Sequence, residues 1–378
     1  MFLNQEIAAD YFPLSIASGK AFCNRTTEIA WLKASISQCR PILLVSPRRY
    51  GKTSLILRVI NQMNLPFAHV DLFSAIDEQD IEKCILRGIG KLISRIETVP
   101  KRALALATEV FEKTNIRVSL WKAEIAIEVN KKQEKPAYNI LDILERLESL
   151  SKKSGERIIL FFDEFQQIGE ITPDHAIEAV LRQVAQLTKS ISFIFSGSNR
   201  HLLNKLFEDR NRPFYKLCER ITLDRIDASH YEKHIQNAAL KTWNLTLSDK
   251  ILERIFRHTE RHSYYVNLLC SRLWRTSPPT LESVDQMWAQ YAIEERSNVA
   301  EEMDLLSKNQ RKLLTIFSRM GGIKEPLGQD FVRQANISKT SINQALDFLE
   351  KKDFVFKDQH GIFKVLDPLI RTVLSGEE

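Results

Sequence analysis

The sequence lacks any apolar run approaching the roughly 20 residues needed to cross a bilayer, so nothing in it reads as a membrane span. Its start, Met1 to Asp10, has neither the basic opening nor the long apolar core of a secretory signal. Cysteine is sparse: Cys23, Cys39, Cys84, Cys218 and Cys270 are odd in number, far apart, and form no Cys-x-x-Cys. That argues against a disulfide frame or a thiolate zinc site, and reads as reduced, buried thiols in a cytoplasmic protein. Net charge is missing from the last segment. The chain carries 54 Lys+Arg against 48 Asp+Glu, a surplus of +6. From Glu301 onward 12 basic residues face 12 acidic ones, so residues 1–300 hold the whole surplus, 42 against 36.

What is present is enough for about two or three domains, each with its own core. The most informative stretch runs from Pro41 to Leu55. A short apolar strand, Ile42-Leu43-Leu44-Val45, meets Ser46-Pro47-Arg48-Arg49-Tyr50-Gly51-Lys52-Thr53-Ser54, and helical spacing follows at Leu55, Val59, Ile60 and Met63. This is the strand–loop–helix of a phosphate-binding loop, whose backbone N–H groups wrap a β-phosphate. Lys52 would reach the β- and γ-phosphates, the Thr53 hydroxyl would hold Mg²⁺, and the helix dipole would favour the anion. The first Gly of the usual pattern is Ser46, a short polar residue that makes the turn less freely than Gly.

Along the chain, residues 1–20 read as an irregular lead-in, and Thr26-Thr27-Glu28 opens a helix. Phe67 to Leu72 reads as a second buried strand, followed by a helix from about Asp80 to Ile96. Residues 101–135 read as a helix and a small hairpin inserted into the main fold, with alternation at Ile116, Val118, Leu120 and at Ile125, Ile127, Val129. A helix from Tyr138 ends at Ser154-Gly155.

The second informative stretch is Arg157 to Glu164. Five apolar residues form a strand buried on both faces, as in a parallel sheet, and it ends in Asp163-Glu164. Standing alone, such a pair would be a solvated turn. Beside a lysine-bearing phosphate loop, Asp163 would bind the Mg²⁺ hydration shell and Glu164 would polarise the attacking water. A fourth strand, Ile191 to Phe195, ends in Ser196-Gly197-Ser198-Asn199. Ser196, or failing it Ser198, would sense the γ-phosphate; the competing reading is a helix cap. Arg210 and Arg212 read as a solvated basic face. Arg220, just ahead of the fifth strand, is placed to reach a neighbouring subunit's nucleotide as an arginine finger, which would make the chain a homo-oligomer.

From Ala228 to about Val299 the pattern is helical throughout, as expected of a lid over the nucleotide. His230/His234 and His258/His262 stand at i, i+4, but the Glu that a zinc-hydrolase helix places after its first His is missing, which argues against metal. The remainder reads as a winged helix–turn–helix, with Thr340, Asn343 and Gln344 on the helix that would face a major groove. Its zero net charge leaves docking of an unknown protein at least as well supported as DNA binding. The expected domains are 1–227, 228–300 and 301–378.

Phe22-x-Asn-Arg25-x-x-Glu28, the Ser46 to Thr53 loop, Phe162-Asp-Glu-Phe-Gln166 and Ser196-Gly-Ser198 together resemble the archaeal-type ATPase family, relatives of the AAA+ and STAND nucleotide switches. So do Arg220 and the terminal winged helix with Leu366-Asp367-Pro368-Leu369. The resemblance spans roughly residues 20–370. It implies an α/β P-loop NTPase fold with a five-stranded parallel sheet, the phosphate-loop strand central, a helical lid, and ATP with Mg²⁺. Asp163, Glu164, Ser196 and Arg220 would carry the family roles. The family's Gly-x-Pro-Tyr-Tyr stretch stands here as Arg261-His262-Ser263-Tyr264-Tyr265. The implied function is a nucleotide-controlled ATPase; the rival is a DNA-binding regulator or docking protein that keeps ATP as a structural ligand.

Overall fold

The computed structural model describes residues 2–112, 116–121, 124–129, 135–275 and 277–376. The chain forms two compact units. One comprises residues 25–48 and 52–223; the other comprises residues 1–24, 49–51 and 224–378.

The first is built on five parallel strands: β1 (Ile42–Val45), β2 (Phe67–Asp71), β5 (Ile158–Asp163), β6 (Ile191–Gly197) and β7 (Glu219–Thr222), in the order β2-β5-β6-β1-β7. β1, β5 and β6 are buried almost end to end because both of their faces are covered, which is why they read as unbroken apolar runs. β2 is an edge strand with alternating burial, not the fully buried strand its composition suggested; His69 and Asp71 fall on its wetter face. The phosphate-loop strand is interior but not central. β6 takes the middle, and β7 pairs with the far side of β1 with Val45 opposite Thr222.

Helix Glu78–Ile96 lies against β2, and Gly88 makes the approach possible. A Cβ there would stand 2.8 Å from Val70 Cγ2. The expected hairpin forms as β3 (Ile116–Trp121) and β4 (Glu124–Val129), antiparallel and separate from the main sheet. Val118 and Ile125 rest on the unit's core. Helix Pro136–Ser154 ends at Gly155, whose φ of +70° closes it in the left-handed conformation.

The second unit has one continuous apolar core holding Trp274, Trp288, Tyr231 and Phe317. Residues 2–11, expected to be irregular, form a helix (Phe2–Tyr11). Ala8 and Tyr11 are buried, with the helix packed on helices Ala228–Trp243 and Ser263–Leu273. These partners lie more than 200 residues away, so no local pattern announces the helix. The winged helix consists of helices Lys308–Met320, Gln329–Ala335 and Lys339–Lys351 with the hairpin β8 (Val355–Lys357) and β9 (Phe363–Val365). A further helix, Pro368–Ser375, completes it, capped by Asp367, whose Oδ1 accepts from the backbone N–H of Leu369 and Ile370. Thr340, Asn343 and Gln344 are exposed. No helix among the described residues is long and apolar enough to cross a membrane, and all five cysteines are free.

Candidate functional site

The loop after β1 turns on two residues with positive φ, Arg49 (+62°) and Gly51 (+89°). Ser46 is not among the positive-φ residues, so the serine at the first glycine position carries no left-handed strain. Its side chain is fully buried, and its hydroxyl donates to Pro47 O at 3.0 Å. Lys52 opens helix Lys52–Met63, with Thr53 and Ser54 next in the first turn, where backbone N–H groups lack intrahelical partners. The Lys52 ammonium folds back over the loop, donating to Ser46 O and Pro47 O at 3.1 Å each and to Ser46 Oγ at 3.3 Å. A buried cation at the N-terminal end of a helix is suited to an anionic ligand.

Asp163, at the carboxyl end of β5, meets this loop. Thr53 Oγ1 donates to Asp163 Oδ2 at 2.9 Å, and Ser196 Oγ, at the end of β6, donates to Oδ1. His69 Nε2 stands 3.9 Å from Oδ2, beyond direct hydrogen-bond reach, with its ring stacked on Phe161 at 4.6 Å. Burial pushes the Asp163 carboxyl up, but His69, the Ser196 and Thr53 hydroxyls and the Lys52 charge outweigh it and bring it down to about 2. The carboxylate is therefore ionised. Hard oxygens from a hydroxyl and an ionised carboxylate suit Mg²⁺ rather than a soft metal.

Glu164 follows at φ +51°, an uncommon conformation for a residue with a side chain. Its Oε2 accepts from Ser198 Oγ at 2.9 Å and from Gln166 Nε2. Ser198 Oγ also lies 3.4 Å from Arg48 Nε of the phosphate loop. Thus Ser196 and Ser198 divide the two acids, one on Asp163 and one on Glu164. No motif marks His69, which sits on an alternating edge strand. Gln166 was visible only as part of the Phe162 to Gln166 motif.

Arg220 does not join this cluster. It lies within β7, opposite Leu43, and its guanidinium is paired with Glu208 of the same chain. Arg212, expected on a solvated face, is buried instead. It is ion-paired with the buried Glu178 at 3.2 Å and donates to Gly169 O at 3.3 Å. Burial raises the Glu178 carboxyl, and Arg212 opposes it.

In the second unit, Arg49 and Tyr50 have partners that sequence reading missed. The Arg49 guanidinium lies 4.2 Å over the Tyr264 ring, and Tyr50 meets His262 edge-on at 4.8 Å. Arg225 donates through Nε to Tyr50 OH (3.2 Å), through Nη1 to Glu260 O (2.9 Å), and through Nη2 to Leu366 O (2.8 Å). Each of the two i, i+4 histidine pairs has a member bonded elsewhere. His258 lies on helix Asp249–Thr259 and bonds Asp285 at 2.7 Å, whereas His262 stands just ahead of the next helix, Ser263–Leu273, with no side-chain capping bond. His234 Nε2 donates to Tyr11 O at 3.1 Å. Among the described residues no group of three or more His, Cys, Asp or Glu could hold a metal.

A parallel α/β sheet, a Lys-Thr phosphate loop at the carboxyl end of one strand and an acid at the end of another define a P-loop NTPase. The model of the ATPase domain found predominantly in Archaea matches residues 22–269, and that of a probable winged helix domain matches residues 299–376. The chain belongs to this archaeal ATPase family, and at that level it is an ATPase. Among solved structures it is similar to a Walker-type ATPase of Pyrococcus abyssi, with 17% identity, a TM-score of 0.68, and 93% of this chain covering 96% of that one. It is also similar to the ORC2 protein of Aeropyrum pernix in ADPNP–ADP complexes, with 15% identity, a TM-score of 0.57, and coverage of 93% and 92%. At these identities the likeness concerns the fold. A comparison with curated proteins found no match.

Proposed function

We propose that the chain is a Mg²⁺-dependent ATP hydrolase whose nucleotide state acts as a switch on its assembly or its contacts with a partner. The observation that carries this reading is the direct bond between Thr53 Oγ1 and Asp163 Oδ2, with Glu164 next in sequence at the same strand end. Residues Ser46 to Ser54 would cradle the phosphates of ATP, Lys52 would neutralise the β- and γ-phosphates, and Thr53 and Asp163 would hold Mg²⁺. The ion would offset the charge that develops on the phosphate oxygens. Glu164 would take the proton of the attacking water, leaving ADP and inorganic phosphate. Ser196 would reach the γ-phosphate only by leaving Asp163, so in this arrangement its part is to orient that acid. A trans role for Arg220 would require it to exchange Glu208 for a neighbouring subunit's phosphate.

The neutral balance of the winged helix supports a docked protein over DNA as the switch's output, because phosphate neutralisation supplies most nucleic-acid affinity. The test is a pair of variants. Lys52→Ala should abolish ATP binding in calorimetry, and Glu164→Gln should bind ATP while releasing little phosphate. Undiminished affinity in the first would remove the loop assignment, and wild-type turnover in the second would place the base elsewhere.

A further inference from the structure

We propose that Gln166 and Ser198 are positioning residues that fasten one oxygen of Glu164 and leave the other to receive the proton. The inference rests on Glu164 being the base. Both donors, Ser198 Oγ at 2.9 Å and the Gln166 amide, converge on Oε2. Oε1 has no hydrogen-bond partner among the described residues. An ionised carboxylate only accepts, so the amide nitrogen of Gln166 must be the atom that faces it. A carboxylate tied at one oxygen has lost most of its rotational freedom, and its free oxygen points in a fixed direction.

Two neighbours make the clamp specific. Gly197 lies at the end of β6, and a Cβ there would fall 2.0 Å from Gln166 Oε1. The glycine is therefore what admits the Gln166 amide to its place, and any larger residue would push it off Glu164. Arg48 Nε, 3.4 Å from Ser198 Oγ, donates into the hydroxyl that in turn donates to Glu164. The orientation of the base is thus linked to a residue of the phosphate loop itself. The Glu164 backbone, at φ +51°, aims the side chain toward Ser198 at some conformational cost.

The experiment is steady-state phosphate release by the full chain as a function of ATP concentration. Gln166→Leu and Ser198→Ala should each lower kcat about tenfold, the scale of one hydrogen bond to a charged group, with KM within about twofold. Ser198→Thr, which keeps the hydroxyl, should retain at least about half of kcat. Gly197→Ala should reproduce the Gln166→Leu loss although the glutamine is still present. Wild-type kcat in Gln166→Leu and Ser198→Ala would overturn the clamp. So would a KM that rises in step with the fall in kcat, a Ser198→Thr no better than Ser198→Ala, or losses that merely track a collapsed melting transition. Full turnover by Glu164→Gln would refute the base itself. An inactive Glu164→Gln beside unaffected Gln166→Leu and Ser198→Ala would refute only the clamp.

Discussion

Thr53 Oγ1 and Asp163 Oδ2 lie 2.9 Å apart although 110 positions separate them in the chain. The helix that follows the phosphate loop and the strand that ends in the acid therefore share one hydrogen bond. Asp163→Asn keeps the geometry and removes the charge. Phosphate release should fall on the order of 100-fold, as when a preorganised charge is lost from a reacting site. Calorimetry gives the sharper readout. ATP affinity of the wild type should drop when EDTA replaces Mg²⁺, and Asp163→Asn should show a much smaller difference between the two conditions.

The phosphate loop yields a second, paired prediction. The strained positions are Arg49 and Gly51, whereas Ser46 lies in an ordinary backbone region with its side chain buried. Ser46→Gly should therefore leave ATP affinity within about twofold. Gly51→Ala meets no neighbour within 4 Å but must hold a side chain at φ +89°. That conformation costs an L-residue about 1–2 kcal/mol, so affinity should weaken about tenfold. Isothermal titration of both variants checks it, and equal losses would show that the loop does not depend on Gly51 in this way.

Where the sequence was legible, the reason is local. β1, β5 and β6 are continuous apolar runs because two strands flank each of them, and each ends in the polar residues that a parallel sheet presents at its carboxyl edge. Lys52, Thr53 and Asp163 could be brought together on paper for that reason. What stayed hidden depends on distant partners. Ser46 stands where the pattern names a glycine, a mild departure, but the positive backbone angle falls three residues on, at Arg49. Arg212 looked solvated because nothing nearby in sequence marks Glu178 as its counter-ion. The Tyr50–Arg225 bond joins residues 175 positions apart, and no periodicity encodes it.

His262 supplies a pH prediction. Its ring lies between Tyr50 at 4.8 Å and Tyr265 at 4.9 Å, and Nδ1 is buried without a partner among the described residues. Burial, then the charges of Arg225 and Arg49, push the imidazole down to about 3. In the unfolded chain it titrates near 6.5. Between those values only the unfolded state binds the proton, so this group's contribution to stability is complete above about pH 6.5. It declines by roughly 1.4 kcal/mol per unit as pH falls toward 3. His262→Phe keeps the ring and removes the titration. Thermal melting from pH 7.5 to 5 should fall less steeply for the variant, and parallel curves would show that His262 does not carry this linkage.

Arg225 gathers four acceptors: Tyr50 OH, Glu260 O, Glu260 Oε2 and Leu366 O. Arg225→Met keeps much of the stem and strands all four. Glu260 retains Arg371 at 2.8 Å, so the loss should be about 2–4 kcal/mol rather than more. That corresponds to a drop of roughly 5–10 °C in melting temperature. Arg225→Lys should recover little of it, because an ammonium cannot reproduce the planar fork that spans Glu260 and Leu366. Calorimetric melting of the two variants decides this, and full recovery by lysine would show that charge alone matters.

The winged helix exposes Thr340, Asn343 and Gln344 on the helix Lys339–Lys351, side chains able to bond base edges. Base contacts alone do not hold a protein on DNA; neutralised phosphates supply the affinity, and its salt dependence counts them. With 12 bases against 12 acids from Glu301 onward, the module has no surplus to release counterions. Fluorescence anisotropy with duplex DNA at about 50 mM salt should therefore show a shallow salt slope. The triple variant Thr340→Ala, Asn343→Ala, Gln344→Ala should leave it unchanged. A steep slope that the triple variant lowers in affinity would make the helix a groove reader and reverse the preference for a protein partner.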